Sequence, residues 1–294
     1  MGVRLGAKVP NSGALPLERG IPALARALEE AGFDSLWVSD HVVLPERMES
    51  RYPFAADGRA TWPPDTPYID ALIALALVAA ATERASFGPA VLVLPQRNPV
   101  LAAKQLASLD AAGGGRLRLG VGAGWLREEF EALGAPFESR GARLEEWIGI
   151  LRDCWTGAPP ARSGGHYDLP AGLLCLPTPA RRVPILVGGH SRAALRRAGE
   201  LGDGWLGQQS LDELDPAELA AARAAMARAA RDAGRDPDGL EVVLRVVGAA
   251  GRAGELARRL PELERAGVGE VIVDVDWEAG DPVAERERLA AAAA

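Results

Sequence analysis

Short apolar runs alternate along this chain with longer stretches in which apolar residues return every three or four positions. The runs Val91–Leu94 and Val183–Val187 contain no charged or hydrophilic side chain, as expected of strands covered on both faces of a parallel sheet. The stretch Leu17–Ala31 instead spaces its leucine and isoleucine residues along one face of a helix, which is typical of an amphipathic element. This alternation predicts a series of βα units.

The pattern predicts eight strands and eight helices. The predicted strands are Val3–Val9, Ser35–Ser39, Phe87–Leu94, Leu117–Val121, Val183–Val187, Gly204–Gly207, Leu240–Val247 and Val271–Val275. The predicted helices are Leu17–Ala31, Tyr68–Thr82, Pro99–Ala112, Arg143–Trp155, Arg192–Leu201, Asp215–Ala233, Gly251–Ala266 and Pro282–Ala293. Asp215 followed by Pro216 is a typical helix start, because the carboxylate caps free amides and the proline has no amide hydrogen.

The order of these elements favours a closed barrel over an open sheet. The first predicted strand runs into residues 9–13, Val-Pro-Asn-Ser-Gly, which lack the G-x-G-x-x-G fingerprint of an open dinucleotide-binding sheet. The sequence shows no internal repeat and no linker that divides the chain. We therefore expect an α/β protein, a (β/α)8 TIM barrel forming a single domain over residues 1–294, with its site at the C-terminal ends of the strands.

Two connections are long for such a barrel. They are His41–Thr66 and Gly157–Arg182, and both are rich in proline. Loops of this length in a compact domain are usually functional lids or disordered segments. Since both lie near the strand ends that carry barrel active sites, we expect long loops at the C-terminal face, with a lid-like insertion around 157–182.

Composition and charge exclude several kinds of partner. The formal net charge is −7 and the cations form no cluster, whereas nucleic-acid binding needs clustered cations. The most apolar stretch, Ile69–Ala81, is shorter than the roughly 20 residues of a membrane span, and residues 1–9 lack a signal peptide's apolar stretch. Two cysteines are too few for a disulfide scaffold. The sequence thus predicts a cytoplasmic protein without nucleic-acid or membrane partners.

The end of the second predicted strand carries titratable side chains. Asp40 and His41 directly follow the apolar strand, which puts an acid and an imidazole at the expected mouth of the barrel. Histidine suits proton transfer near neutral pH, although acid–histidine pairs also occur in ordinary loops where the aspartate caps a turn. The three histidines, at positions 41, 166 and 190, match no metal-binding spacing, so we expect no metal site.

Two glycine-rich strand ends suggest contact with a flat or anionic ligand. At Gly122–Gly124 the lack of bulky side chains lets a ring or chain approach the backbone closely, although a tight turn needs the same residues. Gly188–Ser191 leads from a strand into a helix, where free amides and the positive helix end form an anion site. Ser191 also suits an ordinary helix cap, and the two interpretations are compatible.

Taken in order, these segments resemble the luciferase-like monooxygenase superfamily, and in particular its branch of coenzyme F420-dependent oxidoreductases. The resemblance covers nearly the whole chain. It is carried by Gly32–His41, Val91–Pro99, Gly114–Trp125, Arg127–Phe130, Pro184–Gly189 and Gly202–Trp205. It implies a barrel in which the ring of coenzyme F420 lies across the strand ends.

The resemblance also implies roles for individual residues. Asp40 and His41 would face the cofactor ring and the substrate. Ala90 and Val91 would match a strand bulge where relatives carry a non-proline cis peptide bond behind the ring. The residues implied to contact the cofactor's side chain and phosphate are Gly122, Ala123, Gly124, Gly188, Gly189, His190 and Ser191.

The chain departs from the sugar-phosphate dehydrogenases of this branch. Those relatives hold the substrate's phosphate with lysines from later strands, whereas this chain has no lysine after Lys104 and its sixth strand ends in Gln208-Gln209-Ser210. They also carry a glutamate where this chain has Trp125. We therefore expect an apolar or aromatic substrate rather than glucose 6-phosphate. The expected cover over it consists of Trp62, Tyr167, Leu173 and Leu174.

These features predict an oxidoreductase that transfers a hydride between F420 and a small organic substrate. His41 would exchange the accompanying proton, and Asp40 would orient either His41 or the ring. One alternative keeps the fold but uses FMN and O2 as a monooxygenase, and another is a non-catalytic flavin- or deazaflavin-binding protein. A hydrolytic barrel fits less well, because no metal cluster or carboxylate pair stands out. A homodimer is left open, since Ile69–Ala81 suits either an interface or the core.

Overall fold

The strands form a single sheet in a computed structural model that describes residues 2–55, 57–60, 62–278 and 281–290. They are β1 (Arg4–Lys8), β2 (Ser35–Val38), β3 (Ser86–Pro89), β4 (Leu92–Val93), β5 (Leu119–Gly122), β6 (Ile185–Gly188), β7 (Gly204–Ser210), β8 (Glu241–Val247) and β9 (Glu270–Val273). Every neighbouring pair is parallel, in the order β3-β2-β1-β9-β8-β7-β6-β5-β4.

The sheet closes into a barrel because β3 and β4, at the two ends of the strand order, together occupy one strand position of the ring. β3 pairs with β2, β4 pairs with β5, and a parallel bridge joins Phe87 to Leu117. The prediction of one continuous strand over Phe87–Leu94 is wrong, since the strand is interrupted at Ala90–Val91, whose peptide bond is cis. With eight strand positions around the ring, the predicted TIM barrel is confirmed.

The helices surround this barrel. They are α1 (Leu15–Arg19), α2 (Ile21–Glu30), α3 (Ala71–Ala81), α4 (Pro99–Ala112), α5 (Arg127–Ala132), α6 (Arg140–Cys154), α7 (Arg192–Glu200), α8 (Pro216–Asp232), α9 (Ala253–Arg265) and α10 (Pro282–Ala290). Among the helices of the described ranges, none is long and apolar enough to cross a membrane.

Four helical segments show most directly where the structure agrees with the sequence predictions and where it differs. The predicted helix Leu17–Ala31 is broken into α1 and α2 because Gly20 adopts a φ of 77°, which glycine tolerates best. α8 begins as predicted, with Oδ1 of Asp215 accepting hydrogen bonds from the first free amides. Helix α5 was not predicted, and residues 291–293 of the helix expected at Pro282–Ala293 lie outside the described residues.

The side chains inside the barrel are apolar in its middle layer and mostly polar at the C-terminal ends of the strands. Its middle layer is apolar and buried, and consists of Trp37, Leu186, Leu206, Val243 and Ile272. Side chains alternate along a strand, so the next inward position on each strand lies two residues further on. The residues at these positions line a cavity, as does Lys8 at the end of β1. They are Ser39, Gly188, Gln208, Arg245 and Asp274. The apolar layer is therefore the support beneath a mostly polar floor.

The opposite end of the barrel is closed by a buried carboxylate. Glu270 is fully buried and accepts hydrogen bonds from Oγ of Ser35 at 2.6 Å and from Nε1 of Trp37 at 3.2 Å. It also pairs with the guanidinium of Arg118. This network ties strands together at the N-terminal end, where barrels carry stability rather than chemistry.

Candidate active site

One cavity of about 1390 Å³ opens at the C-terminal ends of the strands. It exceeds the roughly 300–1,000 Å³ of common ligand pockets, which leaves room for a cofactor and a substrate together. The predicted site residues all line it, namely Asp40, His41, Ala90, Val91, Gly122, Ala123, Gly124, Gly188, Gly189, His190 and Ser191. The fold thus brings the acid–histidine pair and the glycine-rich helix start to the same space.

His41 lies in the wall of the cavity and is 8% exposed. Its Nδ1 lies 3.2 Å from Oε2 of Glu129 on α5. Glu129 also accepts hydrogen bonds from the backbone amide of Val42 at 2.6 Å and from Nε2 of Gln96 at 3.0 Å. An ionised carboxylate can only accept, so Nδ1 of His41 carries the proton. Within the described chain Nε2 has no hydrogen-bond partner and is free for a ligand.

The carboxyl group of Glu129 is held in its ionised form by these partners. Burial acts to raise the pKa of Glu129, but the hydrogen bond and charge of His41, with the bonds from Gln96 and Val42, outweigh burial and lower it. Sequence reasoning did not select Glu129, although Arg127–Phe130 carried part of the resemblance. The sequence does contain a signal that could have identified Glu129, namely two adjacent glutamates at the start of a helix, just after a glycine-rich strand end.

Asp40 is a buried anchor with partners on both oxygens. Nη1 and Nη2 of Arg97 reach them at 3.0 and 2.8 Å, and the backbone amide of Val93 donates a hydrogen bond at 2.8 Å. Burial raises the pKa of Asp40, against the opposing charge of Arg97 and the bond from Val93. The prediction that Asp40 orients His41 is wrong, because Glu129 does so. Contact of Asp40 with the cofactor ring stays a prediction.

The side chain of Val91 lies against two strand-end glycines. A Cβ at Gly122 would stand 2.6 Å from Cγ2 of Val91, and one at Gly188 would stand 2.7 Å from Cγ1. Both distances are too short for real Cβ contacts, so the chain needs glycine at these two positions. Val91 therefore lies against the ends of β5 and β6, and the peptide bond that joins it to Ala90 is cis, as the family resemblance implies.

Helix α7 begins at the cavity with free backbone amides. Ser191 is its N-cap, and Oγ accepts a hydrogen bond from the third amide of the helix at 3.1 Å. In the described structure the amides of Arg192 and Ala193 have no partner, and Ala193 lines the cavity. Arg140 and Arg197 line it as well. Free amides, a positive helix end and two guanidinium groups together suit a phosphate.

His190 is a bonded histidine. Its Nε2 accepts a hydrogen bond from the backbone amide of Gln208 at 3.0 Å, and its ring packs edge-on against Trp205. Burial lowers the pKa of His190, although the charge of Glu218 acts to raise it, so the ring is neutral near pH 7. Among the described residues, no group of three histidine, cysteine, aspartate or glutamate side chains could hold a metal ion.

Aromatic side chains of the first long loop cover the cavity. Tyr52 and Trp62 pack against Trp125, with ring centroids 5.2 and 6.5 Å apart. Trp62 also lies 5.7 Å from the ring of His41. In the part of the chain that is described, Nε1 of Trp62 is buried without a hydrogen-bond partner. The cover is therefore apolar, with one donor left over for a ligand.

The second long segment lies outside the cavity. None of the residues 157–182 lines it. Tyr167 packs on Trp147 of α6 and accepts a hydrogen bond from Asn98 at 3.2 Å, while Leu174 is 76% exposed. The prediction that Tyr167, Leu173 and Leu174 cover the substrate is wrong, because this segment packs beside α4 and α6.

The family of the protein follows from comparison with known proteins. The model of the luciferase-like monooxygenase family matches residues 8–291, nearly the whole chain. The chain belongs to this family. The resemblance seen in the sequence is thereby confirmed.

Two known proteins similar to this chain come from the same species. An uncharacterized protein of Mycobacterium tuberculosis is 42% identical over 193 residues, which are 65% of this chain and 66% of the relative. The F420-dependent hydroxymycolic acid dehydrogenase of the same species is 34% identical over 245 residues, 80% of this chain and 62% of the relative. Each match thus spans less than two thirds of the relative's length.

A solved structure shows the same fold. It is an F420-dependent secondary alcohol dehydrogenase in complex with an F420–acetone adduct, and it aligns over 100% of both chains with a TM-score of 0.79 and 17% identity. The residues around the cavity fit a flat ring that bears a phosphate. Gly122 and Gly188 leave the strand ends bare beside Val91, and the free amides of α7 suit the phosphate.

Proposed function

We propose that this luciferase-like protein is an F420-dependent oxidoreductase that transfers a hydride between the cofactor and a small organic substrate. The observation that carries the proposal is the shared cavity, in which the free amides of α7 and the His41–Glu129 pair face the same space. The name of the similar F420-dependent hydroxymycolic acid dehydrogenase supports F420 over FMN as the cofactor.

His41 exchanges the proton that accompanies hydride transfer. When bound, F420 supplies a ring carbon that accepts or donates a hydride. In the oxidation of an alcohol, Nε2 of His41 would accept the hydroxyl proton, the C–H hydrogen would leave as hydride to the bound cofactor, and the substrate would become a carbonyl compound. Reduction runs in reverse. Glu129 stabilises the imidazolium, because its carboxylate lies 3.2 Å from Nδ1.

The other predicted contacts belong to the same proposal. Ala90 and Val91 lie behind the ring, and Asp40 holds β4 beside it through the bond to Val93. The residues proposed to contact the cofactor's side chain and phosphate are Gly122, Ala123, Gly124, Gly188, Gly189, His190 and Ser191.

The apolar cover indicates that the substrate has an apolar or aromatic body. Trp62, Trp125 and Tyr52 supply ring faces and edges on which such a body can pack. The homodimer remains a prediction as well. On α3, Ile73 is 60% and Leu77 is 38% exposed, which leaves an apolar surface for a second copy.

A cofactor titration tests the proposed function. We expect F420 to bind at least tenfold more tightly than FMN, measured by quenching of tryptophan fluorescence, because Trp62 and Trp125 lie in the cavity. F420 absorbance should then fall when a substrate alcohol is oxidised. Preferential binding of FMN would favour the monooxygenase, and F420 binding without turnover of any alcohol or carbonyl compound would favour a non-catalytic binding protein.

A second titration tests the phosphate end of the cavity. Ser191→Asp keeps a capping side chain at the start of α7 but puts a negative charge where the phosphate is proposed. We expect this variant to bind F420 roughly ten- to hundredfold more weakly at unchanged thermal stability. Ser191→Thr is the neutral control and should bind normally. Equal F420 affinity of Ser191→Asp and wild type would place the phosphate elsewhere.

A further inference from the structure

Three charged side chains form what we call the floor cluster, namely Lys8, Arg245 and Asp274. They lie at or near the C-terminal ends of β1, β8 and β9, which are neighbours in the sheet. Ala7 pairs with Val273, so Lys8 is level with Asp274 on the inner face of the barrel. All three line the cavity, and none was selected from the sequence as a site residue.

The ammonium group of Lys8 is unpaired. Across the described ranges, no hydrogen bond or ion pair joins it to another side chain. Burial and then the charge of Arg245 lower the pKa of Lys8 to about 8, while Asp274 acts to raise it. Near pH 7 the side chain is therefore still a cation, in a wall where a charge without a partner is unfavourable.

Arg245 is also incompletely bonded. Its Nη2 lies 3.3 and 3.5 Å from the two oxygens of Asp274, a long and loose contact. Its Nε is buried and has no hydrogen-bond partner among the described residues. The floor cluster thus contains two cations and one carboxylate, a net charge of +1 that faces the cavity. Such a site favours an anionic ligand that brings both charge and acceptor oxygens.

Tyr68 lies beside His41 in the wall of the cavity. Its ring packs edge-on against the imidazole, with 5.3 Å between the centroids. Burial raises the pKa of Tyr68, whereas a hydrogen bond with Ser12 and the charge of Arg245 act to lower it. His41, Tyr68 and the three residues of the floor cluster all line the same cavity, so they face one ligand space.

We propose that Lys8 and Arg245 bind a carboxylate group of the substrate, which makes the substrate an alcohol or carbonyl compound that is also a carboxylic acid. This inference rests on the proposed oxidoreductase function. A carboxylate matches the net charge of the floor cluster, whereas a phosphate, with about −1.5 to −2 charges, would leave an excess of negative charge. The aromatic cover receives the apolar body of the same molecule.

The test compares aromatic acids with their neutral amides. Benzoate, phenylacetate and phenylpropionate, and the three corresponding amides, are titrated by calorimetry into the F420-saturated protein. The proteins are wild type, Lys8→Met, Arg245→Met and, as a matched control, Lys104→Met, which removes the chain's other lysine at an exposed site. We expect at least one acid to bind about ten- to hundredfold more tightly than its amide. The two floor variants should abolish that difference, and Lys104→Met should keep it.

Several results would overturn the carboxylate subsite. One is an acid preference that survives both floor variants, and another is the lack of any acid preference in wild type. A third is a loss of F420 affinity in the floor variants as large as the loss of acid affinity, since the cluster would then hold the cofactor. Failure of the proposed function would give a different result. Wild type would then not bind F420, while its preference for acids over amides could still be measured without cofactor.

The pH dependence of stability distinguishes an unpaired Lys8 from a lysine that merely stabilises the fold. The pKa of Lys8 is about 8 in the folded chain and 10.5 ordinarily, so the unfolded chain binds the proton more tightly. The stability of wild type relative to Lys8→Met should therefore rise as pH increases from about 8 to 10.5. Cys154 and Tyr68, whose pKa values are raised by burial, act in the opposite direction but equally in both proteins. Lys8→Met should be more stable than wild type at pH 7, and this difference should shrink as the pH rises. A variant less stable than wild type at pH 7 would contradict the proposal.

Discussion

Replacing His41 by alanine lowers kcat by about 10²–10⁴-fold, the usual contribution of a positioned acid–base group. The expected loss follows from the position of Nε2, which faces the cavity without a partner in the described chain while Glu129 holds Nδ1. The measurement is the rate of F420 absorbance change with saturating cofactor and the alcohol or carbonyl compound that wild type turns over. Added imidazole should restore part of the rate, since it can occupy the space that alanine leaves.

Three controls separate the role of His41 from general damage. His166→Ala removes an exposed histidine outside the cavity and should leave kcat unchanged. His41→Ala should still bind F420, because the phosphate end of the cavity is untouched. Glu129→Gln keeps the shape but removes the charge that stabilises the imidazolium, and we expect about a tenfold loss. An unchanged kcat in His41→Ala with bound F420 would exclude His41 as the proton carrier.

Asp40→Ala lowers the free energy of unfolding by about 3–5 kcal/mol, the range found when one partner of a buried ion pair is removed. The Asp40 side chain is fully buried, and its partner Arg97 is only 13% exposed. The variant leaves that guanidinium without its two short hydrogen bonds and frees the amide of Val93. Urea unfolding followed by circular dichroism measures the loss.

A double-mutant cycle shows whether the loss comes from the pair. Arg97→Ala should also destabilise strongly, because it leaves the buried carboxylate of Asp40 unpaired. The double variant should lose less than the sum of the two single variants. Asp65→Ala, at an exposed aspartate, should change stability by less than about 0.5 kcal/mol. Strictly additive losses would mean that Asp40 and Arg97 contribute separately, and the anchoring role of Asp40 would be withdrawn.

The two predictions give the adjacent residues different roles. Asp40 stabilises the fold, and His41 takes part in the proposed proton transfer. Asp40 fastens β2 to β4 through Val93 and Arg97, at the place where the strand is interrupted by Ala90–Val91. His41 is the next residue along the chain and faces the ligand space. A stable strand end is thus what places the proposed proton carrier, which explains why a costly buried ion pair lies so near the cavity.

The sequence by itself determined the architecture and the location of the site. Fully apolar strands alternate with amphipathic helices, and that pattern depends only on local periodicity. Because all strands of a barrel run parallel, residues at strand C-terminal ends meet at one rim wherever they occur in the chain. Asp40, Gly122 and Gly188 were therefore expected together from their positions alone, and the cavity contains all of them.

Only the tertiary structure decided the partners of these residues. The contact of His41 with Glu129 joins residues 88 positions apart, on a helix that the hydrophobic pattern did not predict. The cover came from the loop of Trp62 and not from residues 157–182, because a loop's length does not show the direction in which it folds. Prolines and glycines mark a loop but leave its packing open.

The floor cluster shows most clearly why prediction from the sequence was limited. Lys8, Arg245 and Asp274 are unremarkable in sequence, and whether each faces inward depends on strand register, where a shift of one residue reverses every side chain. Register is set when the sheet closes, through pairings such as Ala7 with Val273. Local periodicity thus determined which segments are strands, and only ring closure decided which of their charges share a cavity.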